Sequence, residues 1–178
     1  MGILEQALEN KRTAVILGHV NPDGDCIGSC LGLYNYLTEN FEGLSVTVYL
    51  ESMGKKFSYL KGYDQVRSEM EPERKFDLCI TLDASDVPRL GAFAPYLMQA
   101  GDSLCIDHHL TNTGLARLNV IESGASSACE VLYGALHQNK ISRVTAECLS
   151  TELLLADVTL NHPHPAVHKN GTAASLLV

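Results

Sequence analysis

The chain has 178 residues, which suits one domain with a single hydrophobic core. Apolar residues make up 46% and charged residues 19%, a balance typical of a globular protein and not of a disordered one. The formal net charge of -8 disfavours binding of long duplex nucleic acid through a basic surface. It does not exclude an anionic substrate, because bound cations can invert the local field.

The sequence contains no sign of membrane insertion or export. No apolar run approaches the roughly 20 residues that a membrane-spanning helix needs, so we expect no membrane contact. Residues 1–12, MGILEQALENKR, are amphipathic and contain two glutamates, unlike a secretion signal or a transit peptide. We therefore expect a cytoplasmic protein.

Short apolar runs alternate along the chain with longer segments of helical periodicity. The runs that predict strands are 13–18, 44–50, 76–83 and 102–107. The segments that predict helices are 2–11, 26–40, 87–99, 125–138 and 143–157. Nearly continuous apolar strands joined by helices are typical of parallel strands covered on both faces. The pattern predicts an α/β fold, a Rossmann-like three-layer domain with a mainly parallel sheet.

Carboxylates and imidazoles follow three of these strands, at the point where each strand ends. In chain order they are His19, Asp23 and Asp25, then Asp83, then Asp107, His108 and His109. Because the carboxyl ends of parallel strands meet at one edge of a sheet, we expect these side chains in one crevice. Each has an ordinary structural explanation when taken alone, since Asp often caps a helix and N-P-D-G is a common turn. Three clusters at three strand ends favour a functional site.

So many carboxylates in one crevice require a counter-charge, because each raises the pKa of its neighbours. A divalent cation supplies that charge, and carboxylate and imidazole ligands suit manganese, iron or cobalt. The ligands exceed the needs of one ion. We therefore predict two cations about 3.5–4 Å apart, bridged by a shared carboxylate and suited to in-line displacement at phosphorus.

Cysteines are not expected to take part in this site. The chain has six, namely Cys26, Cys30, Cys79, Cys105, Cys129 and Cys148. Two of them lie inside predicted strands, and no pair has the C-x-x-C spacing of a redox or zinc centre. We predict buried free thiols, none of which joins the clusters of carboxylates and histidines.

Three ordered motifs resemble those of the DHH phosphoesterase superfamily. GHVNPDGDCIGS (18–29) is similar to the first motif, Asp83 within ITLDASD to the second, and IDHH (106–109) to the third. The resemblance runs from about residue 10 to about residue 150. NPDGD, LTNTG after IDHH, and ASSACEVLY are most similar to the oligoribonuclease and pAp-phosphatase branch. The resemblance implies hydrolysis of short single-stranded RNA or of 3′-phosphoadenosine 5′-phosphate (pAp), generally with Mn²⁺, with Mg²⁺ or Co²⁺ as alternatives.

Carried onto this sequence, the resemblance implies which residues hold the cations. His19 and Asp23 would bind one cation. Asp25 and His108 would bind the other. Asp83 would bridge the two, and a hydroxide formed from water between the cations would be the nucleophile.

The resemblance also implies how the phosphate is held. His109 would face it as a hydrogen-bond donor or general acid, and Asp107 would orient its neighbours. Ser126 and Ser127 open a predicted helix and would offer further donors, although helix capping is the favoured role of Ser127. A homodimer is left open.

The sequence departs from the family at the fourth motif, usually L-Y-x-G-I-x-x-D-T-G-x-F. Residues 149–160 lack the D-T-G, and Asp157 stands one position late, which on a helix is a rotation of about 100°. Either a local irregularity brings Asp157 to the second cation, or that cation has lost a ligand. A reading-frame slip near Thr151 would produce the same abrupt change.

We expect residues 1–158 to form the DHH domain and residues 159–178 to form an atypical tail, with the family's C-terminal substrate domain absent. The tail's histidines, predicted to lie in a surface loop, are His162, His164 and His168. An active phosphoesterase and an incomplete module that binds only metal or nucleotide are therefore competing hypotheses. A cyclic dinucleotide phosphodiesterase is another alternative. So is a manganese pyrophosphatase, although Gly24 stands where those enzymes usually have threonine.

Overall fold

The structure, a computed structural model, describes residues 2–151. Its strands are β1 (Thr13–Leu17), β2 (Ser45–Tyr49), β3 (Leu78–Leu82), β4 (Asp102–Asp107) and β5 (Leu118–Ile121). Its α-helices are α1 (Ile3–Leu8), α2 (Gly24–Asn40), α3 (Ala94–Gln99), α4 (Ala128–Ala135) and α5 (Arg143–Leu149). Short 3₁₀ segments are Lys55–Phe57, Tyr63–Gln65, Val87–Phe93 and Gln138–Lys140. Asp157 and the tail 159–178 lie outside the described residues.

The five strands form one parallel sheet in the order β2-β1-β3-β4-β5. The chain runs from β1 outward to β2 and then returns to β3 on the other side of β1. In an open α/β sheet, such a reversal leaves a crevice at the carboxyl ends of the two strands. The first two acidic clusters follow β1 and β3, so the topology places them at this crevice.

Alternate side chains of β1 enter two different cores. Ala14 and Ile16 pack with residues of α1, α2, α4 and α5. Val15 and Leu17 pack with residues of α3 and of the 3₁₀ segment before it. Because successive side chains of a strand point to opposite faces, the helices cover both faces of the sheet. The predicted three-layer α/β fold with a parallel sheet is confirmed.

The predicted helix 87–99 is wrong in its first half. Val87–Phe93 forms a 3₁₀ segment that is interrupted at Gly91, where φ is 54°, and α3 begins only at Ala94. A Cβ atom at Gly91 would lie 2.5 Å from Cγ1 of Val20, in the loop after β1. The backbone therefore bends at Gly91 to pack against that loop.

The edge strand β5 has no counterpart among the predicted strands. Its four residues, LNVI, are all half-buried, and they pair with β4 alone. A four-residue strand with a polar Asn119 in its interior is too short to stand out as an apolar run. The remaining predicted helices are present: 2–11 and 125–138 are shorter than predicted, 26–40 begins two residues earlier, and 143–157 is described only as far as residue 151.

Two further sequence predictions concern the cysteines and membrane-spanning helices. All six cysteines are buried and free, as predicted. Among residues 2–151, no helix is long and apolar enough to cross a membrane.

Candidate metal centre

The loop after β1 carries the first two predicted ligands. Asp23 caps α2, because its carboxylate accepts two backbone N–H groups of the first turn, each at 3.1 Å. His19 is 5% exposed, and its Nδ1 lies 2.7 Å from the carbonyl oxygen of Val20. Its Nε2 lies 3.3 Å from Oδ2 of Asp83 and 3.7 Å from Oδ1 of Asp23. The ring therefore joins the end of β1 to the end of β3.

Asp83 is the central residue of the site. It is 2% exposed, and its Oδ1 lies 3.5 Å from Nε2 of His108 and 3.5 Å from Nδ1 of His109. This oxygen is buried and has no hydrogen-bond partner. The Asp83 backbone is left-handed, with φ of 54°, a conformation that Asp tolerates better than most residues but that still costs about 1 kcal/mol or more. A buried, unsatisfied carboxylate oxygen between histidines is suited to a cation.

The end of β4 holds one of these histidines in place. Oδ1 of Asp107 lies 2.8 Å from Nδ1 of His109, while its Oδ2 accepts a hydrogen bond of 2.7 Å from the side-chain amide of Asn112. Asp107 is fully buried, and its contact with His109 is the one through which it would orient that ring. Asn112 received no role from the sequence, because an Asn in LTNTG also fits an ordinary turn.

Asp25 is shared between the site and the start of α4. Its two carboxylate oxygens accept the backbone N–H groups of Ala128 and Cys129 at 2.7 and 2.9 Å. Oδ2 also lies 3.6 Å from Nε2 of His108. Asp25 therefore caps a helix across the site and remains within reach of a cation beside His108.

The two serines before α4 are engaged in capping. The Ser127 hydroxyl accepts the Glu130 backbone N–H at 3.1 Å, which confirms the predicted helix cap. Both the backbone N–H and the hydroxyl of Ser126 donate to Oε2 of Glu130 at 2.8 Å. The contact of the Glu130 carboxylate with Ser126 adds a second capping interaction at the start of α4.

The neighbouring charges shift the pKa values of the histidines and carboxylates in this site. Burial lowers the pKa of His19, but the carboxylates of Asp23 and Asp83 more than offset this, and the pKa lies at about 12. Asp83 raises the pKa of His108 to about 9. Burial and the neighbouring Asp83 charge raise the pKa of Asp25. Without a metal, the carboxylates would hold protons on the histidines, and a divalent cation is able to replace those protons.

One exclusion made from the sequence is wrong, because Cys26 does join the acidic clusters. Donor atoms of His19, Cys26 and Asp83 all lie within 4.8 Å of one another, as do donor atoms of Asp83, His108 and His109. Asp23 starts α2 immediately after the loop, so the first turn of the helix brings Cys26 back beneath His19. The two donor groups share Asp83; the first is buried and the histidines of the second are half-buried, and both contain nitrogen and oxygen donors that fit divalent cations.

The structure brings seven of the eight predicted site residues together at the carboxyl ends of β1, β3 and β4. They are His19, Asp23, Asp25, Asp83, Asp107, His108 and His109. The eighth, Asp157, lies outside the described residues.

Carboxylates and histidines gather where the strand order of this parallel α/β sheet reverses, between β1 and β3. This arrangement is that of an α/β domain with a candidate metal centre. The sequence matches the profile of the DHH family, N-terminal domain, over residues 13–156, so the chain belongs to the DHH family. The resemblance stated from the motifs is thus confirmed.

Known proteins that are similar to this chain include a curated relative and a solved structure. One is the probable bifunctional oligoribonuclease and PAP phosphatase NrnA of Streptococcus mutans, 29% identical over 146 residues, which span 80% of this chain and 44% of that protein. The other is the crystal structure of an exopolyphosphatase-related protein from Bacteroides fragilis, with a TM-score of 0.80 and 23% identity. That match covers 98% of this chain and 54% of the other, so the chain spans about half the length of both relatives. The second likeness supports the fold.

Proposed function

We propose that this chain is a metal-dependent phosphoesterase that hydrolyses phosphate esters of short oligoribonucleotides or of pAp. The observation that carries the proposal is the position of Asp83, whose buried carboxylate faces His19 on one side and two further histidines on the other. The likeness to the Streptococcus mutans oligoribonuclease and PAP phosphatase supports the choice of substrate. Manganese as the metal and a cytoplasmic location are parts of the same proposal.

Each cation would have its own ligands and would share Asp83. His19 and Asp23 would hold one cation, and Asp25 and His108 would hold the other. The distances of 3.3 Å from Asp83 to His19 and 3.5 Å from Asp83 to His108 support this division. Two divalent cations so held would lower the pKa of a water molecule and stabilise the charge that develops on phosphate oxygens.

We assign to His109 the role of general acid, which protonates the leaving oxygen. Asp107 holds its Nδ1, so Nε2 is the ring nitrogen left to meet a substrate. As a general acid, Nε2 would give its proton to the oxygen that departs from phosphorus. The His109 side chain is 33% exposed, which leaves it accessible from the crevice. Asn112 steadies Asp107 and so the orientation of the ring.

Residues 1–158 would form the domain that carries out this chemistry. The net charge of -8 favours a short, nucleotide-sized substrate over a long duplex, since the cations and not a basic surface would attract the phosphate. A module that binds metal or nucleotide without turnover is the second candidate. The departure of residues 149–160 from the fourth motif favours it.

The test combines metal binding and hydrolysis on one metal-stripped sample. Calorimetry with Mn²⁺ gives the stoichiometry, and pAp and a ribodinucleotide serve as substrates. We expect two bound ions and turnover in the wild type. His109→Gln should lower kcat by roughly 100-fold or more and leave the manganese stoichiometry unchanged, because general acids contribute about 10²- to 10⁴-fold.

His137→Gln is the matched control, since His137 is half-exposed, pairs with Glu5 at 3.0 Å and follows the C-terminal end of α4, whose opposite end contacts Asp25. It should keep full activity. Two bound ions without turnover would support the binding module. Full activity in His109→Gln would remove the proposed acid.

A further inference from the structure

Cys26 lies directly beneath the backbone that carries His19. The side chain is fully buried in the first turn of α2, and its Sγ accepts the His19 backbone N–H at 3.3 Å. A Cβ atom at Gly18 would lie 2.3 Å from this sulfur. Only a glycine at the end of β1 allows the thiol to approach the metal-binding loop so closely.

The sulfur lies within a compact group of buried donors. One donor atom each of His19, Cys26 and Asp83 lies within 4.8 Å of the other two. Ligands of one cation lie roughly 3–4 Å apart, given bond lengths near 2.0–2.3 Å. A small inward movement of side chains would therefore let all three bind one ion. Asp83 is 2% exposed and presents its Oδ2 to Nε2 of His19 at 3.3 Å, whereas its Oδ1, which has no hydrogen-bond partner, faces His108 and His109.

A nitrogen, a sulfur and an oxygen donor together change the choice of metal. Carboxylates alone favour hard ions such as magnesium and manganese, whereas thiolate favours softer or borderline ions such as zinc. A thiol binds metal as the thiolate, so the Cys26 proton would pass to the buffer on binding.

We propose that Cys26 is a thiolate ligand of the cation held by His19 and Asp83, and that it gives this position a preference for zinc or cobalt(II) over manganese. The inference rests on the metal centre of the proposed function and does not require that the chain hydrolyse anything. The other position, beside His108, has no sulfur among its proposed ligands and keeps the preference for harder ions.

Cobalt(II) titration of the metal-stripped chain tests the ligand directly. A cobalt–thiolate bond produces a sulfur-to-metal charge-transfer band in the near ultraviolet, and nitrogen and oxygen ligands do not. We expect this band in the wild type, its loss in Cys26→Ala and its retention in Cys30→Ala. Cys30 is the matched control, because it is also fully buried and lies one helical turn further along α2.

Competition between zinc and manganese gives a second readout. Loss of an outer-shell partner alone costs about 10- to 100-fold in metal affinity. We therefore expect Cys26→Ala to reduce the ratio of zinc to manganese affinity by at least about tenfold, with little change in Cys30→Ala. Circular dichroism and thermal melting establish that both variants fold.

The outcomes separate the two proposals. A wild-type cobalt complex without the charge-transfer band, or a band that survives in Cys26→Ala, overturns the thiolate assignment even if the chain hydrolyses pAp. A band lost only in Cys26→Ala supports it even if no substrate is turned over. Should Cys26→Ala fail to fold, Cys26→Ser replaces it, because oxygen produces no such band.

Discussion

Asp83 and Asp25 are both buried and both lie near Nε2 of His108, yet they have different partners. Asp83 is surrounded by histidines, and one of its oxygens has no hydrogen bond. Asp25 has both oxygens bound to the first N–H groups of α4. Asp83 is therefore placed to bind a cation. Asp25 is placed both to bind a cation and to cap α4.

Alanine variants should separate these two roles. Asp83→Ala is expected to cost more manganese affinity than Asp25→Ala, because a bridging carboxylate serves both ions. Asp25→Ala is expected to lower the free energy of unfolding of the metal-free chain by about 1–3 kcal/mol, because two buried N–H groups lose their acceptor. Calorimetry and urea unfolding measure the two quantities. Equal or reversed losses of metal affinity would contradict the bridging assignment.

The approach of α5 to α2 depends on two glycines. A Cβ atom at Gly28 would lie 2.7 Å from the Cys148 carbonyl oxygen, and one at Gly32 would lie 2.7 Å from Cδ2 of Leu149. Helices approach this closely only where small residues face the neighbour. Because α2 is capped by Asp23 and carries Asp25 and Cys26, this contact fixes the helix that supports the candidate metal centre.

Gly28→Ala and Gly134→Ala make a matched pair of helix substitutions. Gly28→Ala should destabilise the fold by about 1–3 kcal/mol, because overpacking against backbone cannot be relieved by a rotamer change. A Cβ atom at Gly134, in α4, would meet nothing within 4 Å, so Gly134→Ala should stabilise by up to about 1 kcal/mol. Urea unfolding of both variants gives the sign. Two stabilising substitutions would show that α5 is not packed tightly on α2.

The sequence predicts those parts of the fold that depend on residues close together in the chain. β1, β3 and β4 are apolar runs that end in charged residues, so the sequence alone indicates both the sheet and the edge where Asp83 and His108 meet. β5 escapes prediction because four half-buried residues on a sheet edge carry little apolar signal. The break at Gly91 depends on a contact with Val20, which is distant in sequence.

The site shows the same limit. Cys26 and Asn112 reach it through the phase of a helix and the geometry of a turn, and neither is visible from residue type and spacing. Cys26 was excluded for lack of a C-x-x-C pattern, but its sulfur lies against the His19 backbone at 3.3 Å. Asn112 looks like a turn residue, and its amide bond to Asp107 appears only once the loop after β4 is folded.

The candidate metal centre lies where the carboxyl ends of β1, β3 and β4 meet the first turns of α2 and α4. His19 follows β1, Asp83 follows β3 and His108 follows β4, while Asp25 joins α2 to α4. At this junction the carboxylates of Asp23, Asp25 and Asp83 lie close to the rings of His19 and His108. A cation bound there would link elements that are far apart in the chain, and it would bind only when they are folded together.

Manganese should therefore stabilise the entire domain. At a free concentration of about 100 times its Kd, a ligand that binds only the folded state adds about 2.7 kcal/mol to the free energy of unfolding. We expect the urea midpoint of the wild type to rise with Mn²⁺ in that proportion and to fall back on addition of a chelator. Asp83→Ala should lose most of the increase, whereas Gly134→Ala, which leaves the ligands intact, should keep it. An equal response in Asp83→Ala would place manganese at some other site, and no response in the wild type would mean that the buried carboxylates do not bind manganese in the folded chain.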